Sequence, residues 1–437
     1  MEPKSNKQKK RENRRAENVP IKVPKNIVQV LAPTASIYNV SHTALSSILL
    51  QTVAAGGGDI SSLPLSRRQV ERNSKISVTE YASGVREAFI AAAKDKFFVC
   101  HFDGKQLEEF TMGVKAKKER MTVVVSSPDM EHPQILGSLS LNGQTGEDIF
   151  GGVSTLLELY EISDRIIALS FDTTASNTGP GLGACIRLEK QLQKALLWLG
   201  CRRHVMELKI KHVAKLVAED IAGRKTTGPG EPLFKKLQDN WSALLPEIDL
   251  GNLAKFDWQA VSGTELEDQA QKSLEILSHF LKSHTFPRED YREMCELVVL
   301  FLGGAVPNFR FQYPGAYHHA RYMAKVIYQL KLRLLMNKIT WLEHGEKKEV
   351  MVMADFISLF YAVWWLRAYI GVQAPMHDLK AVQEMRMFRR YNQQVADTCL
   401  ASWRRHTWYL TEELVVFSLV DTKCPVRDEV AAAVLQQ

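Results

Sequence analysis

The sequence predicts an α/β protein in which a mixed sheet core carries a large all-helical insertion and C-terminal helices. Three observations lead there. Four short apolar runs with strand character, KFFVCHFDG, MTVVVSS, PQILGSLSL and RIIALSF, fall close together in the first half of the chain. A helical stretch, TGEDIFGGVSTLLELYEI, separates the third run from the fourth, and helical spacing resumes in CIRLEKQLQKALLWLG. Beyond Ile221 no convincing strand pattern remains, and Leu and Trp recur at helical spacing to the C-terminus.

Taken in order, residues 1–35 are expected to form a disordered basic tail, whose first 25 residues are rich in Lys, Arg, Asn and Pro and too polar to build a core. Its run Lys7-Gln8-Lys9-Lys10-Arg11, with Arg14 and Arg15, is either a nuclear-localisation or nucleic-acid-contacting element or a solvated leader. Residues 36–92 predict a small helical module, broken at Gly56-Gly57-Gly58; it either touches DNA or clasps the next domain. Residues 93–220 hold the strand cluster. There Thr145 is a candidate N-cap followed by early acids, and CRRHVMELKIKHVAKLVAED opens as a turn or short strand before becoming a helix. Residues 221–312 predict an all-helical insertion, and 313–437 a helical remainder that completes the core.

Composition narrows the class. A chain of 437 residues with 45% hydrophobic content is long enough for two or three units with a sizeable core. The net charge of +7 is compatible with a polyanionic partner without requiring one. The six cysteines, Cys100, Cys185, Cys201, Cys295, Cys399 and Cys424, form no C-x-x-C pair, which argues against a zinc ribbon and a disulfide framework and for a reducing compartment. No secretory leader is visible, and apolar runs are interrupted before membrane-spanning length, so no membrane is expected. Walker A, G-x-G-x-x-G and G-x-S-x-G patterns are absent; GPGLGAC lacks the Lys-Ser/Thr ending of a phosphate loop.

The chemistry concentrates at strand ends. RIIALSF ends at Asp172, which opens Asp172-Thr173-Thr174-Ala175-Ser176-Asn177; KFFVCHFDG ends at Asp103. Carboxylates at the rim of a sheet can hold a divalent metal, and Mg²⁺ favours hard oxygen ligands. Asp103-Gly104 also fits an ordinary turn, and Asp172 an Asx-turn with Thr174 and Asn177. Cys201 and His204 lie one helical turn apart, but no second pair completes a zinc site; His204 orienting the site over a packed Cys201 suits them better.

Asp172 with Asn177 and the downstream Cys201-x-x-His204 resembles the second catalytic Asp and C-x-x-H of hAT-type DDE transposases. The element order β-β-β-α-β-α, with acids on the first and fourth strands, resembles the RNase H-like fold. The resemblance implies Asp103, Asp172 and a late acid as metal ligands and catalytic groups, supported by Asn177, Cys201 and His204. It implies two Mg²⁺ or Mn²⁺ ions cleaving DNA phosphodiesters and transferring strands, homo-oligomeric assembly on DNA ends, and nuclear localisation. Glu429 is the first choice for the late acid, with Glu412 and Glu413 as alternatives, although Val430 stands where the family has Arg. PGAYHHARYM resembles the family's R-W motif with Tyr322 in place of Trp, and implies Arg321 as a phosphate contact. Lys115, Lys117, Lys118 and Arg120, placed between the first two strands, either flank a DNA channel or decorate a solvated hairpin. The paired tryptophans Trp364-Trp365 and Trp403/Trp408 suit a helical core better than base stacking. A BED-type finger is missing. Two functions follow as expectations: an active metal-dependent DNA transposase or nuclease, or a catalytically silent transposase-derived DNA-binding or scaffold protein.

Overall fold

A computed structural model describes residues 23–62, 65–111, 114–223, 232–283, 285–315 and 321–406. The chain divides into two compact units: among the described residues the smaller takes 23–97, Ser127–Glu131 and Ser154–Arg165, and the larger the rest.

The smaller unit is built on three helices, α1 (Ile27–Ile37), α2 (His42–Ala55) and α3 (Arg67–Ala92); α1 starts inside the stretch expected to be disordered, because Val28, Ala32 and Ala35 give it an apolar face to bury. Local chemistry sets their ends. Ser41 and Ser66 are N-caps whose hydroxyls accept from the amides of Ala44 and Gln69, satisfying donors a helix start leaves open. Gly56 caps α2, and Gly57 follows at φ 71°, a conformation glycine adopts without a Cβ penalty. Val28, Ala35, Leu45, Leu49, Leu65 and Val70 form the unit's apolar centre. At the far end of α3, Phe89 meets Tyr160 edge-to-face, and Arg165 donates to the Ala93 carbonyl at 2.6 Å.

The larger unit contains a five-stranded sheet. Its strands are β1 (Phe98–Thr111), β2 (Val114–Ser126), β3 (Gln134–Leu141), β4 (Ile166–Phe171) and β5 (Leu197–Gly200), in the order β3-β2-β1-β4-β5. β1, β2 and β3 pair antiparallel; β1–β4 and β4–β5 pair parallel. Asp103 and Gly104 were expected to close the first strand. Instead β1 continues to Thr111, because Asp103 pairs with Thr122 and every residue to Thr111 finds a partner on β2. Lys117, Lys118 and Arg120 accordingly stand on β2 itself rather than in a connection.

Between β3 and β4 lies α4 (Gly146–Leu159). Thr145 caps it: its hydroxyl accepts from the Asp148 amide, and Asp148 accepts in return from the Thr145 amide at 3.1 Å. Gly152 sets α4 close to the sheet, since a Cβ there would lie 2.7 Å from Met121 and 2.9 Å from Leu141. α5 (Ala184–Leu192) ends where Gln193 turns left-handed at φ 52°. The next residues, expected to prolong that helix, form β5 instead. Glu189 anchors the change, accepting from the Leu196 amide and the Trp198 indole at 2.9 and 3.0 Å.

From Arg202 onward the described residues are helical: α6 (Arg202–Leu216), α7 (Pro232–Leu244), α8 (Glu265–Ser283), α9 (Glu289–Phe301), α10 (Arg321–Leu334), α11 (His344–Phe356), α12 (Ala362–Arg367), α13 (Ala374–Phe388) and α14 (Gln393–His406). A π-helical turn, Ile357–Tyr361, joins α11 to α12, so His344–Arg367 runs as one 24-residue helix, mostly buried. Long and apolar enough to cross a bilayer by composition, it is here the spine of the helical core. Trp364, Trp365 and Trp403 are all buried in that core, the packing role expected of them; Trp408, expected to join them, lies outside the described residues.

Candidate functional site

The row that matters follows from register. His101 on β1 sits opposite Ser170 on β4, and Phe171 on β4 opposite Gly200 on β5. Asp172 and Cys201 directly follow the last residues of β4 and β5, and the same register, continued past the end of β4, sets Asp103 on β1 level with Asp172. The Cys201 amide continues the β4–β5 ladder by donating to the Phe171 carbonyl at 2.7 Å. Neighbouring strands lie about 4.8 Å apart, and paired residues share a face. Phe102 and Phe171, one step earlier, stack at 5.7 Å on the buried face, which leaves Asp103 and Asp172 together on the other. Asp103 is exposed and Asp172 half-buried. The two carboxylates thus stand at the carboxyl end of the parallel part of the sheet, where open α/β sheets bind ligands.

Asp172 is also the centre of a local clamp. Its Oδ1 accepts from Asn177 Nδ2 at 2.6 Å, from the Thr174 hydroxyl at 2.8 Å and from the Thr174 amide at 3.4 Å. The Asn177 amide group also donates to the Asp172 carbonyl at 3.0 Å, and Asn177 is buried. The Asx-turn and the rim carboxylate, weighed above as alternatives, coexist here: the turn occupies Oδ1, and the described residues give Oδ2 no hydrogen bond. The loop closes tightly behind the clamp. A Cβ on Gly183 would fall 2.7 Å from the Asn177 carbonyl oxygen, and one on Gly146 2.3 Å from the Leu182 oxygen and 2.8 Å from the Ser176 oxygen. GPGLGAC is therefore a packed closure of the Asp172 loop.

Cys201 occupies the N-cap position of α6. Burial raises its thiol pKa, aided by Glu207 and Asp103, while the amides of His204 and Arg203 pull the other way. His204, one turn into α6, lies close enough to His406 to lower its pKa.

The late helix α14 reaches this row. Thr173 Oγ1 and His406 Nδ1 lie 3.3 Å apart, directly after Asp172. Burial, with Lys209, His204, His212 and Arg405 nearby, depresses His406 to about 4, so it is a neutral hydrogen-bonding group at pH 7. Lys209, fully buried, donates to the Ser402 carbonyl at 3.0 Å and lies 4.4 Å from the Trp403 ring centre; burial brings its pKa down to about 7. Arg203 is held between Tyr291 and Trp365, 4.8 and 4.5 Å from their ring centres, and donates to the Trp365 carbonyl. Arg202 pairs with buried Asp378 on α13. His406, Thr173 and Lys209 had no sequence signal, since their partners lie far away in the chain.

The other expected residues are scattered. Lys117 and Lys118 are exposed on β2, opposite Glu108 and Leu107. Lys115 stands opposite Phe110, near the end of the same hairpin. Arg321 opens α10. Glu429 and its alternatives Glu412 and Glu413 lie outside the described residues.

The donor set fits a hard divalent cation in part. Two carboxylates at one level supply hard oxygen ligands. Among the described residues, however, no group of three or more His, Cys, Asp or Glu converges as a metal cage.

No model of a known protein family matches the sequence. No curated protein matches it either. Among solved structures, the chain is similar to a Drosophila P element transposase strand transfer complex, at 9% identity over 94% of this chain and 100% of that one, with a TM-score of 0.27. A score that low leaves the fold assignment to the sheet itself.

Proposed function

We propose that this chain is a transposase-like protein of the DDE, RNase H-like class, acting on DNA phosphodiesters. One observation carries the reading: the first and fourth strands are neighbours, Asp103 lies on the first, Asp172 directly follows the fourth, and their register, continued two residues past His101 and Ser170, sets the two acids level. The reading also needs a late helix near the acids; the contact of His406 on α14 with Thr173, the residue after Asp172, supports that.

In this reading Asp103 and Asp172 hold a divalent cation, Mg²⁺ or Mn²⁺, and a late acid such as Glu429 completes a two-ion set. When bound, such ions polarise a phosphodiester and lower the pKa of an attacking water. The chain's own residues do the rest. Asn177 and Thr174 fix the rotamer of Asp172 through Oδ1 and leave Oδ2 for the ligand. Neutral His406 is a hydrogen-bond partner beside the acids without adding a cation that would compete with the metal. Lys115, Lys117, Lys118 and Arg321 belong to the reading as phosphate contacts, and homo-oligomeric assembly on DNA ends in the nucleus completes it.

The second reading, a catalytically silent transposase-derived DNA-binding or scaffold protein, is favoured by one observation. The side chain that α14 brings to the Asp172 loop is an imidazole, and among the described residues no three His, Cys, Asp or Glu side chains gather as metal ligands.

Calorimetric titration with Mn²⁺, with and without duplex DNA, separates the two. The first reading expects binding by wild type, its loss in Asp172→Asn and Asp103→Asn, and weakening in Glu429→Gln. Metal-dependent nicking of the duplex should disappear in the same variants. A wild type that binds DNA but neither binds metal nor nicks decides for the silent protein.

A further inference from the structure

We propose that the groove between α1, α2 and α3 holds the sugar-phosphate backbone of DNA; this rests on the reading above of a DNA-acting protein, and places a contact surface in the smaller unit. The groove measures about 680 Å³ and is lined by residues of all three helices. Its charged or titratable lining residues are His42, Arg67 and Lys75, and no carboxylate lines it. Around them stand neutral donors, the hydroxyls of Ser41, Thr43 and Ser74 among them.

Three physical features point to a phosphate ligand. The first is the cost of the cations. α3 begins Arg67-Arg68, continues through Arg72 and Lys75, and has no acid in its first turn. A helix N-terminus carries partial positive charge, which disfavours cations there and favours an anion. Arg67, Arg68, Arg72 and Lys75 are exposed, so packing does not explain them. The second is α2, a 14-residue helix that opens onto the groove at Ser41, His42 and Thr43 and has no acid in its own first turn. The Ser41 hydroxyl takes the Ala44 amide, and the amides of His42 and Thr43 before it have no intrahelical acceptor. The third is Ser74. It lines the groove, is 6% exposed, and its Oγ has no hydrogen-bond partner among the described residues. A buried hydroxyl left unpaired is costly, and an anion seated in the groove is the acceptor it lacks.

Hydroxyls, helix N-terminal amides, Lys and Arg are the set that contacts DNA phosphates. Arg67 is the single arginine in the lining, and its guanidinium fork suits a phosphate as it suits a carboxylate, so an acidic polypeptide is the competing occupant that the test separates. Glu71 lies outside the lining; it pairs with Lys75 at 3.0 Å and is also close enough to His42 and Arg67 for both to lower its pKa, so it offsets part of the groove's positive charge.

The test is fluorescence anisotropy of the full chain with a labelled random-sequence duplex at several salt concentrations. Each lost phosphate contact lowers the dependence of log K on log salt by about 0.9, equivalent to about a five-fold loss of affinity at 0.15 M salt. Arg67→Gln and Lys75→Gln should each show that loss, and the double variant about thirty-fold. Both residues are exposed, so folding is retained, as circular dichroism will report. The charge-matched control Lys347→Gln with Lys348→Gln, exposed on α11, should keep wild-type affinity within two-fold. A double groove variant that binds like wild type overturns the groove while leaving the DNA reading intact. A wild type that binds no duplex overturns both. Groove variants that lose binding to polyglutamate but not to duplex assign the groove to an acidic polypeptide and overturn the proposal.

Discussion

Asn177 is the residue on which the Asp172 geometry turns. Its side-chain amide bridges the carbonyl and carboxylate of one residue, and it does so from a buried position. Hydrogen bonds to charged groups contribute about 1.5–3 kcal/mol. Asn177→Ala should therefore lower stability by about 1–3 kcal/mol in urea unfolding, and should weaken Mn²⁺ binding because Asp172 loses its fixed rotamer. Unchanged stability would mean that Thr174 alone holds the carboxylate. At this scale the sequence was partly legible. Asp172 announced itself because an apolar run stops at a carboxylate, and Asn177 because an Asx-turn needs an amide or hydroxyl nearby. His406 did not, because its partner Thr173 is 233 residues away. Nothing local distinguishes a histidine at the end of Trp403-Arg404-Arg405-His406 from any basic helix terminus.

Elements are held to one another by small clearances as much as by apolar area. The start of α4 lies against the loop that follows Asp172, and Gly146 is the point of contact. A methyl group there meets two backbone oxygens, which cannot rotate away as a side chain would. Gly146→Ala should cost about 1–3 kcal/mol, as overpacking does, and should displace the Asp172 loop; the loss is read from the thermal midpoint, the displacement from weakened metal binding. Gly152→Ala is the comparison: its Cβ meets only the ends of Met121 and Leu141, which can move, so its cost should be smaller. The strands show why sequence reading stopped short at this scale. β1 outran its expected end because its continuation is polar and gains its partners only from β2. β5 was hidden because Ala-Leu-Leu-Trp-Leu suits a helix. What ends α5 is a left-handed Gln193, and what recruits the strand is Glu189, both decided by tertiary context rather than propensity.

Across the larger unit, buried titratable groups set how stability responds to acid. Burial depresses His377 to about 3, helped by Arg367, Arg202 and Lys380, and His406 to about 4. A depressed folded pKa gives stability that is complete above the ordinary histidine value of 6.5 and is lost as pH falls toward 4. Asp355 opposes this, since burial raises it to about 7, so its contribution is lost as pH rises through 4 to 7. Two histidines outweigh one carboxyl, and the urea midpoint should fall between pH 6.5 and 4.5. His377→Gln combined with His406→Gln should flatten or reverse that trend, and a variant that keeps the wild-type slope would refute the assignment. On the alkaline side Cys100 and Cys399, raised to about 12 by burial, give stability that is lost above pH 9. At the scale of the molecule, the α/β class and the helical second half were legible from periodicity alone. The rim site was half legible, because register, which brings Asp103 to Asp172, depends on strand order and not on either strand's own residues.

The long helix His344–Arg367 also has a birth order. Its neighbours Gln269 and Ser273 on α8, which donate to the Leu359 carbonyl, Tyr291 on α9, which meets Trp365, and Gln329 on α10, which donates to Glu349, all precede it in the chain. Glu384 and Trp403, which meet Trp364, follow it. A ribosome making this protein from the N-terminus therefore delivers its greasiest segment into a shell already three helices deep. What stays wet until α13 and α14 emerge is the flank of Phe360 and Trp364, which Phe388, Glu384 and Trp403 then cover.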